Sequence, residues 1–104
     1  MKKDDQKYIN SICVYAYKKA MNEYETHNYM NCGRLRSCSA EVLETENYFL
    51  LRSYNTIVAV MNKRCRETVD VLRMVYGYTA TSAQHITKFA HDYHETKRYT
   101  YRYV

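Results

Sequence analysis

From residue 4 to residue 27 the apolar positions recur at helical spacing. Ile9, Cys13, Ala16, Ala20 and Tyr24 follow one another at intervals of three or four, which puts them on one face of an α-helix. Ile12, Tyr17 and Met21 widen that stripe, while Lys18, Lys19, Glu23 and Glu25 fall mainly on the other side. Asp4 and Asp5 stand at the start, where negative charge suits the helix dipole. The helix is expected to stop between His27 and Gly33, where Asn28, Asn31 and Gly33 collect. Residues 28 to 45 read as a polar connection, with Ala40 to Leu43 either a helical turn or a short strand.

The period then changes. Tyr48 to Tyr54 and Thr56 to Asn62 are rich in aromatic and β-branched residues and are separated by Asn55, so both read as strands. Ile57, Val58, Ala59, Val60 and Met61 form an unbroken apolar run, which fits a strand buried on both faces. Lys63, Arg64, Cys65, Arg66 and Glu67 make a charged turn. Thr68 to Tyr76 reads as a further strand, with Val69, Val71 and Val75 alternating against Asp70, Leu72, Met74 and Tyr76, and it should pair antiparallel with the preceding run. Gly77 ends it. Thr81 with Gln84 three positions on is a capping-box pattern. The helix it opens carries Ala83, Ile86, Phe89, Ala90 and Tyr93 on one side and ends near His94. Tyr99 to Val104 alternates cleanly, with Tyr99, Tyr101 and Tyr103 on one face, and reads as a final strand.

The expected fold is α+β. A long N-terminal helix within residues 1–33 and a second helix cover one face of a mainly antiparallel, three- to four-stranded sheet, giving a two-layer sandwich. Residues 46–104 form the strand–strand–strand–helix–strand unit. A chain of 104 residues has room for one domain and one core.

Composition adds one unusual feature: 13 tyrosines against 2 phenylalanines and no tryptophan. Tyrosine has an apolar body and a polar tip, so it serves either to finish a small core or to form a contact surface. Proline is absent and glycine occurs twice, which argues against linkers and low-complexity segments. The formal net charge of +5 favours an acidic partner, either nucleic acid or an acidic protein face. Lys2 and Lys3 lead into Asp4 and Asp5 rather than an apolar run, so no signal peptide is expected, and no stretch has the length of a membrane span. The cytoplasm of a bacterial host cell is the expected location, with Cys13, Cys32, Cys38 and Cys65 as thiols.

Candidate chemistry is sparse. Cys32 and Cys38, with His27 near, lack the short spacing of a structural zinc site. His91 and His94 are neighbours at a helix end and read as solvated histidines. No metal or other cofactor is expected. There is no nucleophile elbow and no phosphate-binding glycine loop. His85, in the first turn of the capped helix, is the best single candidate for a perturbed group, and a structural or interface role suits it better than catalysis. The chain therefore reads as non-enzymatic.

Nucleic-acid binding is the specific alternative. Basic residues gather as Arg34 and Arg36, as Lys63, Arg64 and Arg66, and as Lys97, Arg98 and Arg102. Cations neutralise phosphates and tyrosines stack on bases. The final strand interleaves both, so Arg64, Arg66, His85, Arg98, Tyr99, Tyr101, Arg102 and Tyr103 are the candidate contact residues. The same charges also suit an edge strand guarded against aggregation, and an exposed edge at 99–103 could pair with a second copy to form a homodimer. The helix–strands–helix order is shared with double-stranded-RNA-binding domains. Their basic motif at the second helix is missing here, because Thr81 to Lys88 holds one lysine, and that assignment is excluded.

Three segments carry a resemblance. They are Ser53 to Val60, Tyr76 to Phe89 and Tyr99 to Arg102, with a Ser-Tyr-x-Thr strand and a Thr-x-Thr-Ser-x-x-His-Ile-x-x-Phe helix start. Together they resemble a small family from phages and other bacterial mobile elements that has no assigned function. The match covers about residues 46–103 and leaves out the N-terminal helix. It implies a mobile-element origin. Small proteins of that origin often block host defence nucleases, so the leading expectation is an anti-CRISPR-like inhibitor of a nuclease or a nuclease–guide RNA complex. The alternative is an accessory protein that binds nucleic acid directly through the basic, Tyr-rich strand.

Overall fold

The computed structural model describes residues 3–26, 29–35, 39–77 and 79–103. The elements run α1 (Lys3–Glu25), β1 (Met30–Arg34), β2 (Ala40–Glu44), β3 (Tyr48–Ser53), β4 (Thr56–Asn62), β5 (Glu67–Asp70), α2 (Leu72–Tyr76), α3 (Ala80–Asp92) and β6 (Lys97–Thr100). Among the described residues the strands form one sheet in sequence order, β1 to β6. Neighbours are antiparallel from β1 to β5. β6 lies parallel to β5, because α2 and α3 carry the chain back along the sheet before β6 begins.

The apolar run of β4 dictates the layering. Ile57, Val58, Ala59, Val60 and Met61 are all buried. Ile57 and Val60 pack with α1 through Cys13, Ala20, Ile9 and Ala16. Val58, Ala59 and Met61 pack with α3 through Ile86 and Phe89. Two consecutive residues share the α3 face because the β3–β4 register shifts at this point: Leu51 pairs with Ala59 and Arg52 with Ile57, which leaves Val58 as a bulge. The helices therefore cover opposite faces, and the fold has three layers. This corrects the expected two-layer sandwich, and the sheet has six strands, not three or four. A sheet whose central strand is apolar on both sides cannot leave one face to water.

Other boundaries also differ. The polar stretch at 28–45 contains two strands, β1 and β2, and Ala40 to Leu43 belongs to the second. The expected strand over Thr68–Tyr76 stops at Asp70. The Asp70 carboxylate accepts from the Leu72 N–H at 3.0 Å, and α2 follows, with the Val75 N–H bonded to the Val71 carbonyl. Val71, Leu72 and Val75 are spaced as one helix face, a pattern that competes with their reading as alternation. The N-cap of helix α3 lies two residues before the expected one, at Thr79, and the helix begins at Ala80. Thr79 is extended (φ −131°, ψ 139°) and its hydroxyl accepts from the Ser82 N–H. His27, Arg36, Cys38 and Val104 lie outside the described residues.

Side chains of α1 fasten it to the sheet at both ends. Near its C-terminus the Glu23 carboxylate accepts from the Thr45 hydroxyl at 2.7 Å and from the backbone and side-chain amides of Asn47 at 3.0 and 2.8 Å. Burial works against the charge, but these bonds outweigh it and hold the carboxyl below its usual range. Near its N-terminus, Asn10 pairs with the backbone of Arg102. Its amide donates to the carbonyl and its Oδ1 accepts from the N–H at 3.0 Å. Gln6 donates to the Thr100 carbonyl at 3.2 Å. These amides occupy the outer rim of the edge strand β6 as a neighbouring strand would, so a second copy cannot pair there at Thr100 and Arg102 without displacing them.

Two stability measurements follow. Asn10→Ala is expected to cost about 0.5–1.5 kcal/mol, because the exposed backbone groups of Arg102 exchange their amide partner for water. Urea unfolding would show this, and an unchanged midpoint would remove the clamp from the stability argument. Thr68, fully buried, keeps a hydroxyl with no hydrogen-bond partner among the described residues. Thr68→Val is expected to raise stability by up to about 1 kcal/mol, since an isosteric methyl needs no partner. A clear loss would show that the hydroxyl is bonded.

Candidate binding surface

The expected contact residues separate in space. Arg64 and Arg66 lie in the β4–β5 turn, where Arg66 has a left-handed backbone (φ 60°). The Arg66 guanidinium donates to the Tyr93 carbonyl at 3.3 Å and lies 5.2 Å from the Phe49 ring centre, so it braces the turn against α3. Arg64 is exposed. Arg98 is ion-paired to Glu95 at 3.0 Å. The expected strand over 99–104 is shifted: β6 runs Lys97–Thr100, so Tyr101 and Tyr103 lie beyond it, and of the three tyrosines Tyr99 and Tyr101 lie beneath α1. Tyr99 and Tyr101 are half-buried in the core on that side. Tyr103 is 72% exposed and meets the Tyr101 ring edge-on at 5.3 Å. The Arg102 backbone is held by Asn10 and its side chain is exposed.

His85 stands apart from all of these, buried where α3 crosses the end of β3. Its Nδ1 is 3.0 Å from the Ser53 hydroxyl, which is 3.1 Å from the Ser82 hydroxyl. β3 alternates regularly, with Tyr48, Leu50 and Arg52 on the α1 face and Phe49, Leu51 and Ser53 on the α3 face, which is why Ser53 meets the helix. A serine beside an imidazole is the pairing of a nucleophile and its base. Here both serines are 1% exposed, so neither hydroxyl is open to a substrate. Among the described residues no carboxylate bonds the ring. Burial, and secondarily the Lys88 charge, push the His85 pKa below its ordinary value. The cluster ties β3 to α3. Among the described residues, no three His, Cys, Asp or Glu side chains gather as a metal site.

The most open aromatic surface lies on α1, outside the predicted set. Tyr8 and Tyr15 are 69% and 64% exposed. They are seven positions apart, and Lys7, Ser11 and Lys18 share their side of the helix, all exposed. The Lys19 ammonium sits 5.5 Å from the Tyr15 ring centre. Between this face and β6 runs a groove of about 440 Å³ lined by Asn10, Ser11, Val14, Tyr15, Lys18 and Tyr101. A smaller cavity of about 180 Å³ continues under the helix past Tyr15, Tyr48 and Tyr99. The signal was present in the sequence, since Tyr8 and Tyr15 fall off the apolar stripe at a shared helical phase. The strands of the second half drew the reading away from it.

The depressed pKa of His85 has a direct consequence for stability. Protons bind the unfolded imidazole more readily than the folded one, so His85 favours folding fully above its ordinary pKa of 6.5. That stability is lost as pH falls from there through the folded pKa. His85→Gln is expected to flatten this acid-side loss in thermal melts, and an unaltered pH profile would show that the ring titrates normally. The chain matches no family model, no curated protein and no solved structure.

Proposed function

We propose that this is a non-enzymatic binding protein that engages single-stranded nucleic acid with the Tyr–Lys face of α1 and the groove beside Tyr101. The observation that carries this reading is the pairing of exposed rings with ammonium groups along one face: Tyr8 and Tyr15 with Lys7, Lys18 and Lys19. Rings give every base a stacking platform and the cations neutralise phosphates without reading sequence. Three of the remaining cations are ion-paired, Arg52 with Glu41, Lys63 with Glu44 and Arg98 with Glu95. Lys97 on β6 and Arg102 just beyond it are exposed as well, but the rings beside them, Tyr99 and Tyr101, are half-buried, which favours α1 as the stacking surface.

A second reading is an inhibitor that covers a host defence nuclease, as the resemblance of residues 46–103 implies. The apolar wall of the groove, Val14 with Tyr15 and Tyr101, favours it, because buried tyrosines commonly anchor protein interfaces.

Fluorescence anisotropy with a labelled single-stranded oligonucleotide at several salt concentrations separates the two. Direct binding predicts an affinity that falls steeply with salt. Tyr15→Ala is expected to cost about 1–3 kcal/mol by loss of one stacked base. Lys7→Gln with Lys18→Gln is expected to lower the salt slope by about 1.4, or 0.7 for each phosphate contact on a single strand. Binding unaffected by all three substitutions would move the contact surface elsewhere. No binding to nucleic acid, together with stoichiometric capture of one nuclease lost on Tyr15→Ala, would establish the inhibitor reading.

A further inference from the structure

We propose that the cleft between the end of β1, the start of β2 and the β3–β4 turn binds a nucleoside phosphate, an aromatic base carrying one phosphate group. The cleft measures about 290 Å³ and is lined by Arg34, Ser39, Glu41, Arg52, Tyr54 and Asn55. It lies toward the β1 edge of the sheet, whereas the α1–β6 groove lies at the opposite edge. The two sites are independent.

Charge selects an anion here. Glu41 is already neutralised, by the Arg52 guanidinium at 2.6 Å and an amide bond from Asn31 at 2.9 Å. The other arm of Arg52 donates to the Tyr24 hydroxyl at 3.1 Å. Arg34 is exposed and makes no hydrogen bond or ion pair to a described residue. Although its charge also acts on Glu41 through space, Arg34 with Arg52 against the one carboxylate leaves the cleft net positive, and a planar guanidinium matches the oxygens of a phosphate in a two-pronged contact.

Backbone strain selects the ring. Tyr54 and Asn55 form the two-residue turn of the β3–β4 hairpin, and both have positive φ, 50° and 67°. Such turns favour Asn and Gly, so Asn55 fits, while a bulky ring at Tyr54 is held in a left-handed conformation that costs about 1–2 kcal/mol. The ring gains little burial in return, being 53% exposed, with His85 against it at 6.0 Å. A strained and exposed aromatic residue on the wall of a polar cleft is the pattern of a residue kept for binding. Its ring offers a platform for a base, with Ser39 and Asn55 on the rim to hydrogen-bond the base edge. The volume lies at the small end of ligand sites, which suits one nucleotide rather than two.

Titration of the isotope-labelled protein with AMP, adenosine and inorganic phosphate, each alone, tests this by NMR. AMP is expected to shift the amides of Arg34, Tyr54 and Asn55 and to bind about tenfold tighter than adenosine or phosphate, since the guanidinium–phosphate contact is charge-assisted. Arg34→Ala should reduce AMP to the affinity of adenosine. Tyr54→Gly, which relieves the turn and so keeps the fold, should weaken AMP and adenosine alike and spare phosphate. An oligonucleotide with a 5′-phosphate that competes with AMP would identify a strand end as the ligand, and failure to compete would identify the free nucleotide. The proposal is overturned if millimolar AMP leaves those amides unmoved, or if Arg34→Ala binds AMP as the parent does.

Discussion

Water has no access to β4 from either side, and the rest of the architecture answers that constraint. Five successive apolar residues need two covers, and only α1 and α3 are long enough to supply them. The helices must therefore sit on opposite faces. The bulge at Val58 adjusts how many of the five side chains each helix receives. On β3 the alternation runs unbroken, so Arg52 faces α1 and Ser53 faces α3. The Ser53–His85 contact follows from that alternation, and the Arg52–Glu41 pair from the regular β2–β3 register that sets Glu41 opposite Arg52.

Charge and aromatic surface are distributed by the same logic. The residues nearest the sheet become struts: Lys63 with Glu44, Arg66 over Phe49, Arg98 with Glu95. Tyr48, Tyr99 and Tyr101 complete the core beneath α1 with their ring bodies. Among the described residues, the most exposed rings lie on the outward face of α1, at the turn of Tyr54 and Asn55, and on Tyr103. A high tyrosine content here serves two purposes at once, and only the three-dimensional arrangement separates the rings that fill from the rings that face outward.

The sequence was legible where one period ran long. The buried stripe of α1, the limits of β3 and β4, and the apolar side of α3 follow from spacing alone. It was ambiguous where two periods shared the same residues. Val69 and Val71 alternate as in a strand, while Val71, Leu72 and Val75 recur as in a helix, and the Asp70 carboxylate decides between them locally by capping the Leu72 N–H. The layer count was implicit in the run from Ile57 to Met61, which already demanded two covered faces. Contact residues were hardest, because exposure depends on what packs above. Tyr99 and Tyr101 alternate perfectly well as an open face, yet α1 closes over them from more than eighty positions away in the chain. Cys13 shows the same distance effect, its thiol pushed up to about 12 by burial and then by the Asp70 charge.

The pairing of Asn10 with the backbone of Arg102 joins positions 92 apart. A ribosome adding about 5–20 residues per second makes them some 5–18 seconds apart. Through that interval the stripe of α1 can already settle on β2 to β5, but its Gln6 and Asn10 amides have no strand to hold, and β5 stands as the open border of the sheet. An unpaired edge at β5 can template pairing with another chain until β6 is in place, and the helix made first then closes the outer rim of the last strand.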